Sequence, residues 1–137
     1  MLDMVDVTQQ VKIVSLIGKR YPLADTAAGQ VLLAFDNSRT TTGLDGQPSI
    51  SSEQVAKVQK QGYCIDAEAL GEDIASIAAP VLGKGGKIYA ALCLVGPTYR
   101  MPEDILKERM LQPLTEACKI ISSKLGWHSG YSSRRYI

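Results

Sequence analysis

The residues with the most chemical promise stand at the start of a helix. Pro22-Leu23-Ala24-Asp25-Thr26-Ala27-Ala28-Gly29 sets a capping threonine, Thr26, before a first turn made only of Ala and Gly. A helix start leaves N–H groups unpaired at the positive end of the helix dipole. With almost no side chain above them, the N–H groups of Ala27, Ala28 and Gly29 are open to a small anion such as a carboxylate. Close packing explains the same residues, because Ala and Gly let a helix lie tightly on a sheet. Short motifs are weak evidence, and taken alone this segment favours packing.

Other candidates are weaker. Asp66, Glu68, Glu72 and Asp73 lie in one loop, where paired carboxylates can do acid–base work but more often are simply solvated. Cys64, Cys93 and Cys118 are widely spaced, and the only histidine is His128. That closes the structural-zinc option and leaves no base for a cysteine nucleophile. Cys93 sits within Ala90-Ala91-Leu92-Cys93-Leu94-Val95 and reads as a small buried residue. Gly83-Lys84-Gly85-Gly86 lacks phosphate-loop spacing and precedes a strand, so it reads as a turn. Ser76 shares one strand face with Ile74 and Ala78 and is a polar group in need of a partner.

The elements that carry these residues follow from periodicity and punctuation. Strands are expected over 1–7 and 11–16, then a buried helix over 26–35 and a loop over 36–50. A helix from Ser52 to about Gln61 turns Val55, Val58 and Ala56 inward and stops at Gly62. A short strand is expected at 63–65, with longer strands over 74–82 and 87–95 joined by the Gly-rich turn. Gly96-Pro97 ends the last of them. A final helix from about Pro102 to Leu125 is capped by Gly126 and disturbed by Pro113. Its inward face is read as Leu106, Met110, Leu114, Ala117, Ile121 and Leu125. The order makes this α+β, an antiparallel sheet flanked by helices.

Length and charge bound the function. The 137 residues fit one domain, over 1–126, with a tail over 127–137. The 15 basic and 14 acidic side chains nearly cancel and form no basic stripe, which disfavours a free-standing nucleic-acid binder. No apolar run approaches the ~20 residues of a membrane span. The acidic start and unpaired cysteines suit a cytoplasmic protein.

One ordered set of residues goes further: Gly18-x-Arg20-x-Pro22-Leu23-x-x-Thr26-Ala27-x-Gly29, then Leu32-Leu33-Ala34, Val58-x-x-x-Gly62-Tyr63, Asp66, Ile77-Ala78-Ala79-Pro80-Val81, Gly96-Pro97 and Ser122-x-x-Leu125-Gly126. The set resembles the effector-binding domain of the IclR family of bacterial and archaeal transcription regulators. The resemblance implies a GAF/profilin-like sensor fold, here N-terminally shortened. It implies a small organic-acid effector whose carboxylate rests on the N–H groups at Ala27 and Ala28. Asp66, Ile74, Ser76, Cys93 and Val95 then line the rest of the site, with Ile13 and Tyr21 as apolar walls. Val95 stands where the family often has a hydroxyl, and Asp73 where it usually has Gly.

The family's winged helix-turn-helix and its first effector-domain helix and strand have no counterpart here, and the 34–52 segment is short. The expectation is a sensing domain that controls oligomer state or an attached DNA-binding domain. It would work as a homodimer or tetramer, without a cofactor, catalysis, direct DNA contact or membrane contact. The alternatives are a self-association module pairing through an exposed edge at Met1–Val7, and, last, a small enzyme using Cys93.

Overall fold

The computed structural model describes Asp3, residues 16–36 and residues 50–127. Apart from Asp3 and Leu16, the expected strands over 1–7 and 11–16, and with them the Met1–Val7 edge and Ile13, lie outside the described residues. So do most of the 36–50 loop and the tail beyond Trp127.

Helix α1 (Ala27–Phe35) and helix α2 (Ser52–Gln61) start on the expected caps. Thr26 Oγ1 accepts the Gly29 N–H at 3.0 Å, and Ser51 Oγ accepts the Gln54 N–H at 3.2 Å. Gly62 ends α2 in the left-handed region, at φ 83°. Val58 and Val55 pack inward, but Ala56 is exposed. Gln54 shares the side of Val55 and Val58, and its amide meets Gln30 of α1 at 2.8 Å.

Strands β1 (Cys64–Ala67), β2 (Ile74–Leu82) and β3 (Ile88–Pro97) form an antiparallel sheet in the order β1-β2-β3. Gly96 and Pro97, expected as a stop, are paired residues of β3 opposite Ala75 and Ile74. The Gly-rich turn is confirmed, with Gly85 and Gly86 at φ 76° and 78°.

Alternation along β2 builds a core on each face. Ala75, Ile77, Ala79 and Val81 face Leu106, Leu114 and Cys118 of the C-terminal helical segment. Ala78 faces the opposite way, onto Ala27, Val31 and Ala34 of α1 and Val58 of α2.

The C-terminal helical segment consists of α3 (Glu103–Ile105), a π-turn (Leu106–Met110) and α4 (Leu111–Lys124). Pro113 lacks an N–H and its ring would crowd the carbonyl four residues earlier, so the helix widens just before it. The Leu111 N–H reaches back five residues to the Leu106 carbonyl. The extra residue rotates everything beyond it. Leu114, Cys118 and Ser122 become the buried line, while Ala117 is only half-buried and Ile121 is exposed, contrary to the straight-helix reading. Gly126, at φ 96°, closes the helix with its N–H on Ser123 O and the Trp127 N–H on Ser122 O.

Candidate functional site

The sheet face beneath α1 gathers most of the residues singled out in the sequence. Directly paired residues of an antiparallel sheet point the same way, so the register sets them in rows. Asp66, Ser76 and Val95 form one row, and Cys64, Ala78 and Cys93 the next. Ala27 and Ala28 of α1 pack into the cluster that holds Cys64, Ala78 and Cys93. Ile74 lies on the same face at the head of β2, and half-buried Tyr21 precedes the turn into α1.

The three N–H groups at the helix start are not equivalent. Gly29 gives its N–H to Thr26, so it is not available to an anion. The N–H groups of Ala27 and Ala28 make no hydrogen bond within the described residues, and the first turn carries no acidic side chain. Packing also accounts for part of the small-residue pattern. Ala27 is fully buried against the sheet. At Gly29 a Cβ would stand 2.0 Å from the Leu23 carbonyl oxygen and 2.6 Å from its Cα. Ala28, half-buried, is the position where neither constraint is strict.

Gly29→Ala is therefore expected to destabilise the chain by about 1–3 kcal/mol, because backbone and not a flexible side chain must yield. Urea unfolding measures this. Unchanged stability would mean that the 22–25 turn moves freely.

Two polar side chains face this floor. Ser76 is 2% exposed, and its hydroxyl makes no hydrogen bond within the described residues. Buried polar groups are nearly always paired, so an orphan of this kind marks a place where something polar belongs. Asp66 accepts the Ala69 N–H at 3.1 Å. Burial raises its pKa; hydrogen bonds from backbone N–H groups oppose the rise, and the nearby Asp25 carboxylate adds to it. The folded chain thus holds the Asp66 proton more tightly than the unfolded one does. Its contribution is most favourable below the ordinary carboxylate range and declines as pH rises through the raised value. Asp66→Asn is expected to remove that decline, so that stability at pH 7 relative to pH 4 improves against the wild type. Urea melts at the two pH values test this, and an equal decline in both proteins would contradict it.

Sequence reasoning missed a polar junction at the helix start. Gln30 Nε2 donates to Ala24 O at 2.9 Å, while its Oε1 accepts from Gln54 Nε2 at 2.8 Å and from Cys64 Sγ at 3.3 Å. One amide thus ties the turn before α1 to α2 and to β1. The only sequence signal was a glutamine inside an otherwise apolar helix.

The cysteines are poor nucleophiles. Burial, with the Asp66 charge second, pushes the Cys64 thiol up to about 11, and burial also raises Cys93. Among the described residues no cluster of three His, Cys, Asp or Glu could hold a metal, and no helix is long and apolar enough to cross a membrane.

Comparison with known proteins gives the family and the fold. The family "Bacterial transcriptional regulator IclR C-terminal" matches residues 1–123. The chain is 34% identical to the HTH-type transcriptional regulator KdgR of Escherichia coli over 90% of this chain and 52% of that protein. It is 33% identical to KdgR of Dickeya chrysanthemi over 90% of this chain and 45% of that protein. The chain therefore spans about half the length of the curated relatives it matches. These relatives are transcriptional regulators and not enzymes. Among solved structures, the C-terminal domain of E. coli KdgR aligns with a TM-score of 0.62 at 32% identity, over 92% of this chain and 84% of that one. The inducer-binding domain of PobR from Acinetobacter, a double mutant solved with 3-hydroxybenzoic acid, aligns with a TM-score of 0.64 at 25% identity, over 85% and 75%.

Proposed function

The chain belongs to the IclR family of bacterial transcriptional regulators, matching their C-terminal domain, and from that footing we propose that it senses a small organic acid held at the start of α1. The carboxylate rests on the N–H groups of Ala27 and Ala28, where helix-end partial charge and two donors without a partner among the described residues act together. Thr26 and Gly29 hold that helix start in shape through their own hydrogen bond. Ser76 and Asp66 meet polar groups on the rest of the ligand, the hydroxyl in either direction and the carboxylate as acceptor. Ala78, Cys93 and Val95 supply the apolar floor, with Ile74 and Tyr21 as the remaining wall positions.

The observation that carries this reading is the buried hydroxyl of Ser76, unpartnered among the described residues, in register with Asp66 and on the face covered by α1. PobR, solved with a hydroxy acid, supports the ligand class. Because Asp66 offers an acceptor and the Val95 side chain offers no polar atom, a ligand bearing a hydroxyl on the Asp66 side is favoured over one that needs a polar partner at Val95. Binding that favours one of two states of the chain then changes oligomer state or the setting of an attached DNA-binding domain.

Calorimetry with matched pairs of acid and amide tests the reading, using 3-hydroxybenzoate, benzoate and lactate against their carboxamides. At least one acid is expected to bind while its neutral amide does not. Equal binding of an acid and its amide would remove the helix-end carboxylate site.

A further inference from the structure

We propose that Gln30 is a positioning residue of the ligand site: it fixes the offset between the Ala27 and Ala28 N–H groups and the Asp66–Ser76 row, and so selects acids by the reach from carboxylate to hydroxyl. This role presupposes that an organic acid binds at the start of α1. Gln30 follows Gly29, and its side chain turns back over the helix start. Nε2 donates to the Ala24 carbonyl, six residues earlier, at 2.9 Å. Together with the close approach of the Leu23 backbone to Gly29, this bond holds the 22–25 turn against α1, just before the two N–H donors. At the other end of the same amide, Oε1 accepts from Cys64 Sγ at 3.3 Å, a nearer acceptor for that thiol than the Ile65 carbonyl at 3.8 Å. Cys64 and Asp66 are alternate residues of β1, so they share a face and lie about 7 Å apart. One planar amide thus bonds to the turn before the carboxylate donors and to the strand that carries Asp66.

The partners dictate which way round the amide lies. A carbonyl only accepts, so Nε2 faces Ala24 and Oε1 faces the two donors, Cys64 and Gln54. Neither packing nor helix propensity asks for glutamine here. It is the only polar side chain within α1, and leucine or methionine would serve the helix equally well. The two helices do not need it to stay together either. At their C-terminal ends Gln59 Nε2 donates to the Ala34 carbonyl at 2.6 Å, a second tie between α2 and α1. What Gln30 alone supplies is the fixed link from the 22–25 turn to β1.

Calorimetry with 3-hydroxybenzoate against benzoate, and lactate against propionate, tests the proposal on the wild type and on variants, with circular dichroism to verify folding. The bonds that Gln30→Met loses are part-buried, so that variant is expected to fold. In the wild type at least one hydroxy acid is expected to bind about tenfold or more tightly than its counterpart without the hydroxyl, the equivalent of one hydrogen bond to a charged group. Gln30→Met and Cys64→Ala are each expected to bring that ratio close to one, while Cys64→Ser, which keeps a donor, retains most of it. Gln59→Met is expected to lower stability and leave the ratio unchanged. A Gln30→Met variant that binds every acid more weakly yet keeps the wild-type ratio would overturn the proposal, because a purely structural role gives that result. So would a wild type that binds each hydroxy acid no better than its counterpart. Equal binding of an acid and its carboxamide, or binding of none of them, is a different result, which removes the helix-end site itself and this role with it.

Discussion

Ala28→Asp is expected to weaken organic-acid binding by about tenfold to a hundredfold, the equivalent of one charge-assisted hydrogen bond, while leaving the fold intact. The new carboxylate would lie in the first turn of α1, where negative charge suits the helix dipole. It would answer the same N–H groups that the ligand needs and repel the ligand's own charge. The neighbouring position should behave quite differently. Ala27 is fully buried against the sheet, so Ala27→Glu forces a charge into the α1 core and should cost several kcal/mol, about 3 or more. Thermal melts and calorimetry on both variants separate the two effects. If Ala28→Asp binds acids as tightly as the wild type, the helix start is not the site. If Ala27→Glu is as stable as the wild type, α1 does not pack as described.

The second large effect concerns two serines of equal burial. Ser76 and Ser122 are each 2% exposed. Ser122 Oγ accepts the Leu82 N–H at 2.9 Å, and the β2–β3 register breaks at Val81 and Leu82. Ser122→Ala leaves that part-buried N–H without its partner and is expected to cost about 1–3 kcal/mol. Ser76 has no such partner among the described residues, so Ser76→Ala removes a polar group that burial already penalises. The ligand-free chain is expected to be unchanged or more stable, while affinity for the organic acid falls. Urea unfolding of both variants measures the contrast. A loss in Ser76→Ala as large as that in Ser122→Ala would show that the Ser76 hydroxyl already has a partner.

Much of this was legible in the sequence, because local chemistry controls it. Thr26 and Gly62 cap their helices as their types predict, and the alternation of Ile74–Leu82 gives both faces of β2 correctly. Asp66, Ser76 and Cys93 fall on one sheet face for the same reason. What escaped depends on events distant in the chain. Ala56 stays outside because the helical turn sets it away from Val55 and Val58, while Gln54 shares their side and finds Gln30, 24 residues away. The inward face of α4 was misread because a π-turn shifts the phase by one residue, and a wheel drawn for a straight helix cannot contain that. Gly29 was counted among the anion donors, yet its N–H serves Thr26 and its missing side chain makes room for the Leu23 backbone.

The most direct test of the central claim is an amide NMR titration of the chain with a binding organic acid. The N–H groups of Ala27 and Ala28 are expected to gain a charged acceptor and move strongly downfield, while that of Gly29, already bonded to Thr26, moves little. Saturable binding that leaves the Ala27 and Ala28 amides unmoved would contradict the account.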